Sequence, residues 1–364
     1  MALSARSIRN ARLSPSPERI VKFGIVGTGR IASDFANDLK HVKHAALHAV
    51  LSRDFGSAAT FRQAYGAVEA YASVGDFMAD PDMDAVYVAS PNSAHLSQAL
   101  AAIRAGKAVL IEKPLAASVS DAEAIQAEAV KHGVFAMEAM WIRFLPGIQR
   151  AKALIESGAI GQIKSVRGEL SYFNTFDPNS RLFSKALGGG ASLDLGVYLL
   201  SLTTCLFGAP SSVSGQWKAA AGGVDVSARY ELGYEGFNAA LSTSLERDGH
   251  NVFEIEGALG VLRIEDLFIQ ARRVRVLKGA AARSTLLRPP AVPGKLLKLL
   301  SRLPFPGQEN LPFNYPGNGL QFEAEAVAHA VRAGESGSGA APLTESIAVL
   351  KMIETVLSRP ASLF

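Results

Sequence analysis

Cysteine is nearly absent: of 364 residues only Cys205 carries a thiol. An internal disulfide framework is therefore excluded, and the usage fits a reducing compartment, so a cytoplasmic protein is expected. Cys205 lies in an apolar, helix-like run, where a buried inert thiol is the simple expectation. Charge of either sign is modest, 37 Lys and Arg against 33 Asp and Glu, and the net +4 has no block within the body of the chain. A nucleic-acid partner is not expected from that balance. No uninterrupted apolar run reaches the length of a bilayer span, so no membrane partner is expected either. Residues 1–20 hold Arg6, Arg9, Arg12 and Arg19 with no acid before Glu18, and they lack the apolar segment of a secretory signal. That composition suits an organelle transit peptide or a solvated tail, and the tail is the plainer expectation. Metal-ligand clusters are missing too. His41, His44 and His48 share a helical spacing, but the helix before them should have ended and His48 falls in a strand-like run, so no metal is expected.

What remains is a globular composition, 48% apolar and 19% charged, long enough for two domains with separate cores. From Val21 to about residue 140, apolar runs at 21–26, 46–51, 85–89, 108–111 and 134–137 alternate with helical candidates at 31–40, 55–65, 94–105 and 120–131. Such alternation predicts a doubly wound parallel sheet. Beyond Pro146 the texture changes. A helix near 147–157 precedes extended runs at 163–173, 224–232, 236–246 and 251–257, several alternating apolar with polar residues. They predict a mainly antiparallel sheet with one open face. Gly188-Gly189-Gly190 leads into a helix at about 192–206, residues 288–317 read as a long Pro- and Leu-rich loop, and helices near 320–333 and 344–358 close the chain. The expected division is a tail at 1–20, a nucleotide-binding α/β domain at 21–145 and an α+β substrate or oligomerisation domain at 146–364, with closing helices able to pack back on the first.

The first apolar run, Val21 to Val26, stops at Gly27-Thr28-Gly29-Arg30-Ile31-Ala32. Gly27 can make the tight turn out of a strand, and Gly29 has no Cβ to block a pyrophosphate. Ala32 lets a helix pack close to the sheet, and the helix N-terminus offers free N–H groups. The pattern predicts a dinucleotide bound on this turn. An NAD site usually places Asp or Glu about 20 residues further on, at the tip of the second strand. Here Ser52-Arg53-Asp54 stands instead. Arginine offers a planar fork suited to a 2′-phosphate, and NADP(H) is preferred over NAD(H) on that ground. The alternative is a solvated Arg53 with Asp54 at the ribose.

Ligands in such sheets bind beyond the strand C-termini. There the chain places Ser90-Pro91-Asn92 with His95, then Glu112-Lys113-Pro114, then Glu138 to Phe144. Together with Gly27-x-Gly29 and Asp194-Leu195-Gly196-Val197-Tyr198, these motifs resemble the Gfo/Idh/MocA oxidoreductases over residues 21–358. The stretches 137–146 and 188–198 look most like the branch of dimeric dihydrodiol dehydrogenases and NADP-dependent xylose dehydrogenases. The resemblance implies a nucleotide-binding domain followed by an open-sheet domain used for oligomers, a dimer or tetramer. It also implies Lys113 and Tyr198 at the reacting hydroxyl, with Asp194 holding the constellation or touching sugar hydroxyls.

The chemistry of that pair is plain. A tyrosine with an ordinary pKa near 10 serves as acid and base once a neighbouring ammonium favours its phenolate. Asp194 and Tyr198 are four apart on an expected helix, hence on one face. Cofactor contacts are expected from Gly27, Thr28, Gly29, Arg30, Ile31, Ser52, Arg53, Ser90, Pro91, Asn92, His95, Glu112, Lys113, Trp141 and Arg143. For Asn92 and His95 the alternative is an ordinary helix start, and for Trp141 and Arg143 it is packing at a domain boundary. Trp141, Asn174, Arg181, Phe183 and Asp194 are candidates for substrate contact. The stretch Gly317-Asn318-Gly319-Leu320-Gln321-Phe322-Glu323 resembles a motif of the same branch that opens the penultimate helix, and no chemistry attaches to it from sequence. The expectation is an NADP-dependent oxidoreductase acting on a secondary alcohol of a sugar, cyclic polyol or diol. The alternatives are reduction of a keto- or anhydro-sugar by NADPH, or an NADP(H)-binding regulator without catalysis.

Overall fold

The computed structural model describes residues 18–265, 267–279 and 307–361. The readings for the 1–20 tail and for most of the 288–317 segment lie outside these residues. Contacts divide the chain into two compact units, Met1–Trp141 with Pro316–Leu350, and Ile142–Tyr315 with Lys351–Phe364.

In the first unit, strands β1 (Val21–Val26), β2 (Ala45–Leu51), β3 (Glu69–Tyr71), β4 (Ala85–Val88), β5 (Ala108–Glu112) and β6 (Ala136–Ala139) form one parallel sheet ordered β3-β2-β1-β4-β5-β6. Every residue of β4 and β5 is buried, as a central parallel strand covered on both faces must be. Helices α1 (Arg30–Leu39), α2 (Phe55–Tyr65), α3 (Val74–Ala79), α4 (His95–Arg104) and α5 (Val119–His132) provide the crossovers. Their boundaries follow local chemistry. Asp54, Ser73 and Ser118 cap α2, α3 and α5, and left-handed glycines Gly66 and Gly133 end α2 and α5. The pair β3 and α3, three and six residues long, has no counterpart in the sequence reading, because neither spans enough residues to show a period. Helix α8 (Leu320–Ala333) belongs to this unit and packs against α1, β1, β2 and β5.

The second unit opens with α6 (Pro146–Glu156), whose proline sits at its first turn. Its sheet contains β7 (Ile163–Ser171), β8 (Ser212–Ala219), β9 (Asp225–Tyr234), β10 (Phe237–Ser244), β11 (Phe253–Gly257), β12 (Gly260–Glu265), β13 (Arg273–Lys278) and β14 (Gln308–Pro312). The order is β14-β13-β12-β11-β7-β10-β9-β8, antiparallel throughout except for the parallel β7–β10 pair. β14 corrects the reading of 288–317 as loop to its end: an otherwise unremarkable Gln-Glu-Asn-Leu-Pro run becomes a strand because β13 offers it an edge. The alternation of Arg273 to Lys278 is a visible strand signal that the reading passed over.

A second correction concerns 192–206. Ser192–Gly196 forms a π-helical turn, and only then does α7 (Val197–Phe207) begin. Asp194 therefore sits in a wider i→i+5 turn, with Tyr198 in the first turn of α7 that follows. Among the described residues, the helical stretch Lys185–Phe207 is the one long and apolar enough to cross a membrane, and 78% of its most apolar window is buried. It packs on β7 and β10 as a core helix. The last helix, α9 (Leu343–Leu357), closes the described chain.

Candidate active site

Gly27 leaves β1 with φ +111°, and a Cβ there would sit 2.6 Å from the Ala89 carbonyl oxygen. Both facts demand glycine. Gly29 differs: its backbone is extended, and no protein atom lies within 4 Å of where its Cβ would be. It caps α1 without any side-chain hydrogen bond, so the first N–H groups of α1 face open space. An anionic pyrophosphate fits such a turn, which presents unsatisfied donors, a positive dipole end and no side chain in the way. Arg30 is almost fully solvated and lies 3.8 Å from Asp34, Thr28 and Ile31 are half-buried, and Ala32 is buried against the sheet.

The second-strand tip separates its three polar residues. Asp54 accepts from the Ser57 amide at 2.7 Å and from the Ser57 hydroxyl at 2.8 Å, and these bonds hold its carboxyl below the usual range. It is thereby committed to capping α2. Ser52 is half-buried and Arg53 is exposed.

The next two loops are tied together. His95 is fully buried, with Nδ1 2.9 Å from the Pro114 carbonyl and Nε2 3.0 Å from the Ser90 carbonyl. Burial lowers its pKa against the pull of those carbonyls. The ring thus sits between the Ser90 and Pro114 loops, and in its neutral form it donates its one N–H to one of the two carbonyls. Ser90 donates to Gln98 at 2.7 Å, Pro91 is exposed, and Asn92 opens a short 3-10 turn before α4 without capping it.

At the end of β5, Glu112 is buried and accepts from the Tyr87 hydroxyl and, at 3.1 Å, from the Lys113 amide. On the far side of the Lys113–Pro114 peptide, which is cis, the Leu115 amide donates to Glu138 at 2.8 Å. Two carboxyl groups thus straddle the lysine-bearing turn, and Lys113 itself is half-buried. The sequence reading missed Glu138 as a turn holder. Its one signal was an acid inside an otherwise apolar strand.

Burial pushes the Glu112 carboxyl up to about 7, opposed by the Tyr87 hydrogen bond and the Lys113 charge. A raised carboxyl binds its proton more tightly folded than unfolded, so its contribution to stability is full below the unfolded pKa and is lost as pH rises through the folded value. Denaturant titrations should show wild-type protein losing about 3 kcal/mol more than Glu112→Gln between pH 5 and pH 8. Parallel pH curves for the two proteins would contradict this.

In the second unit, Arg181 Nη1 lies 2.9 Å from Asp194 Oδ1, which unites two of the predicted substrate residues. Arg181 is largely exposed, so the pair orients the carboxylate more than it stabilises the fold. Asp194 stands in the π turn behind the triglycine. There Gly190 has φ +127°, and the Ser192 amide donates to buried Asp225 at 2.7 Å. Tyr198 is buried in the first turn of α7. Phe183 is buried edge-on against Phe176, and Asn174 Nδ2 donates to the Tyr172 carbonyl at 3.0 Å. Arg143 is 2% exposed, and its Nε donates to the Ser201 hydroxyl at 2.8 Å with Nη2 on the Ser201 carbonyl. These bonds tie it to α7. Trp141, the last residue of the first unit, is likewise buried.

No group of three or more His, Cys, Asp or Glu among the described residues has metal-binding geometry. His48 bonds instead to Asp80 at 2.9 Å.

Comparison with known proteins places this geometry. Residues 21–140 match the GFO/IDH/MocA oxidoreductase family with its NAD-binding Rossmann fold, and residues 148–263 match the GFO/IDH/MocA C-terminal domain. A trans-1,2-dihydrobenzene-1,2-diol dehydrogenase of Oryctolagus cuniculus is 30% identical over 91% of this chain and 96% of its own length. Its Xenopus laevis counterpart is 36% identical over 67% and 74%. Among solved structures, a 3-ketoreductase from Actinomadura kijaniata with bound NADP superposes at TM-score 0.78, with 22% identity, over 93% of this chain and 98% of that one. A levoglucosan dehydrogenase with NADH and levoglucosan does so at 0.78, with 20% identity, over 93% and 96%. The strand order of the first unit, the glycine turn and the second, mainly antiparallel sheet are accounted for together: the chain belongs to the Gfo/Idh/MocA family of oxidoreductases.

Proposed function

We propose that this oxidoreductase uses NADP(H) in preference to NAD(H) and moves hydride between nicotinamide C4 and a secondary alcohol carbon of a sugar, cyclic polyol or trans-dihydrodiol. The observation that carries the cofactor choice is the commitment of Asp54 to the α2 cap. Asp54 Oδ2 is engaged in that cap, and Arg53 beside it offers a fork for a 2′-phosphate. The substrate class is supported by relatives named for a dihydrodiol and neighbours named for levoglucosan and ketoreduction.

Gly27 to Ile31 would hold the pyrophosphate, Ser52 and Arg53 the adenosine side, and Ser90 to Asn92 with Glu112 and Lys113 the nicotinamide side. When bound, the nicotinamide supplies the hydride acceptor or donor. The chain's own residues then handle the proton. By the motifs shared with the family, Lys113 and Tyr198 are the residues assigned to the hydroxyl proton, an ammonium and a phenol suited to that exchange, and Asp194 is assigned to the substrate's orientation. Oxidation should therefore quicken toward alkaline pH, where a phenol loses its proton more readily. The reductive direction, with NADPH and a keto- or anhydro-sugar, uses the same groups in reverse.

Absorbance of reduced nicotinamide, followed with NADP⁺ and NAD⁺ in parallel across aldoses, inositols, anhydro-sugars and cyclic diols, tests the reading. Turnover should favour NADP⁺, and Arg53→Ala should cut the NADP⁺/NAD⁺ ratio of kcat/KM by about 10- to 100-fold through loss of a charge-assisted contact. An unchanged ratio would refute the Arg53 assignment. Tight NADPH binding without turnover in either direction would favour the non-catalytic alternative.

A further inference from the structure

The motif at 317–323 has a clear structural result. The Asp38 carboxylate of α1 accepts the Asn318, Gly319 and Leu320 amides at 2.8–3.0 Å, which starts α8 at Leu320 and puts Glu323 in its first turn. Glu323 is fully buried, and neither of its carboxyl oxygens has a hydrogen-bond partner among the described residues. Its charged neighbours are all acidic: Glu112 of β5, Glu138 of β6 and Asp38 of α1. Tyr87 of β4 and Lys113 reach the group through Glu112, and His95 of α4 reaches the same turn through Pro114.

A carboxylate placed there would be an orphaned buried charge among three others. An apolar side chain would pack at lower cost, so simple filling does not explain an acid. A carboxylic acid, in contrast, has an O–H to donate. The groups around it are acceptors, and two of them hold the Lys113 turn from either side.

We propose that Glu323 is a positioning residue for Lys113, a protonated buried carboxyl that supplies a donor to the Glu112 carboxyl group bordering the lysine. Burial and the neighbouring acids raise its pKa well above the ordinary range, in keeping with a proton retained at working pH. The donated bond favours the ionised form of Glu112 and with it the ammonium of Lys113. The link to activity rests on the catalytic reading of Lys113, whereas the proton itself is measured independently.

Infrared spectroscopy of the full-length protein at pH 8, compared with Glu323→Gln, should show a carboxylic-acid carbonyl band that the variant lacks. Glu323→Met, which removes the donor, should raise the infrared midpoint of Glu112 by about one pH unit and lower kcat at pH 7 about tenfold. Glu323→Gln keeps a donor, so it should hold both values within about twofold of wild type. Absence of the band overturns the proposal. So does a downward shift in Glu323→Met, which would mark Glu323 as a charge, and so do equal effects or none in the two variants. If Glu323→Met does not fold, the band and the Glu323→Gln titration still decide. A present band with full activity in Lys113→Ala would overturn the Lys113 reading while leaving the buried donor standing.

Discussion

Lys113→Ala is expected to lower kcat by about 10³-fold while NADP(H) still binds within about tenfold of wild type, the range for losing a positioned acid-base group. Lys113 stands directly after the buried strand β5, and its backbone amide is pinned to Glu112. The flanking Leu115 amide is pinned to Glu138, and the Pro114 carbonyl lies on His95. These restraints act on backbone groups, so truncating the side chain should leave the turn in place. Residues that act as a unit lose activity non-additively. Tyr198→Phe should cost a comparable factor, and the double variant little more than either single one. Additive losses would separate the two residues and refute the pair, and a Lys113→Ala enzyme with kcat within tenfold of wild type would remove lysine from the chemistry. Fluorescence titration of NADPH with each variant distinguishes a lost step from lost binding.

Asp38→Ala should be the most destabilising single change in the first unit, by about 3–5 kcal/mol. Asp38 is 1% exposed, and its carboxylate takes three consecutive backbone amides from the start of α8. Removing it orphans the buried Leu320 amide and the part-buried Asn318 amide, each costing about 1–3 kcal/mol, while the Gly319 amide keeps Gln321 Oε1 at 3.0 Å. It also unties α8 from α1, although the two are distant in sequence. Asp38→Asn keeps one acceptor oxygen and should lose about half as much. Urea unfolding gives the comparison, and an Asp38→Ala midpoint within 1 kcal/mol of wild type would show the cap to be dispensable.

The first unit was largely legible before its structure. Four of its helices and five of its strands follow apolar periodicity interrupted by caps and glycines, and those signals are local. The turn Gly27 to Gly29 was readable for the same reason, because its requirement is a backbone shape that only glycine supplies at φ +111°. What sequence could not decide was where polar side chains spend their hydrogen bonds. Arg53 was preferred to Asp54 for the adenosine side from sequence, but that Asp54 Oδ2 would cap α2 through the Ser57 amide and hydroxyl could not be read there. His95 and Arg143 were expected as cofactor contacts, with a helix start and packing as the alternatives, and nothing in the sequence said that His95 would lie between two carbonyls or that Arg143 would donate to Ser201. The π turn that carries Asp194 also escaped, since it differs from an α turn by one hydrogen bond and leaves no mark on the apolar pattern.

The amino-acid sequence by itself determined the class of fold, the glycine turn after β1 and the short list of candidate acid-base residues. Each of these depends on residue type within a few positions along the chain. Tertiary structure decided the partners: Asp38 at the head of α8, Glu112 and Glu138 on either side of Lys113, and Glu323 buried among them. Their charges act across short distances in space between residues up to hundreds apart in sequence. No periodicity records such distances, and only the packed core brings them about.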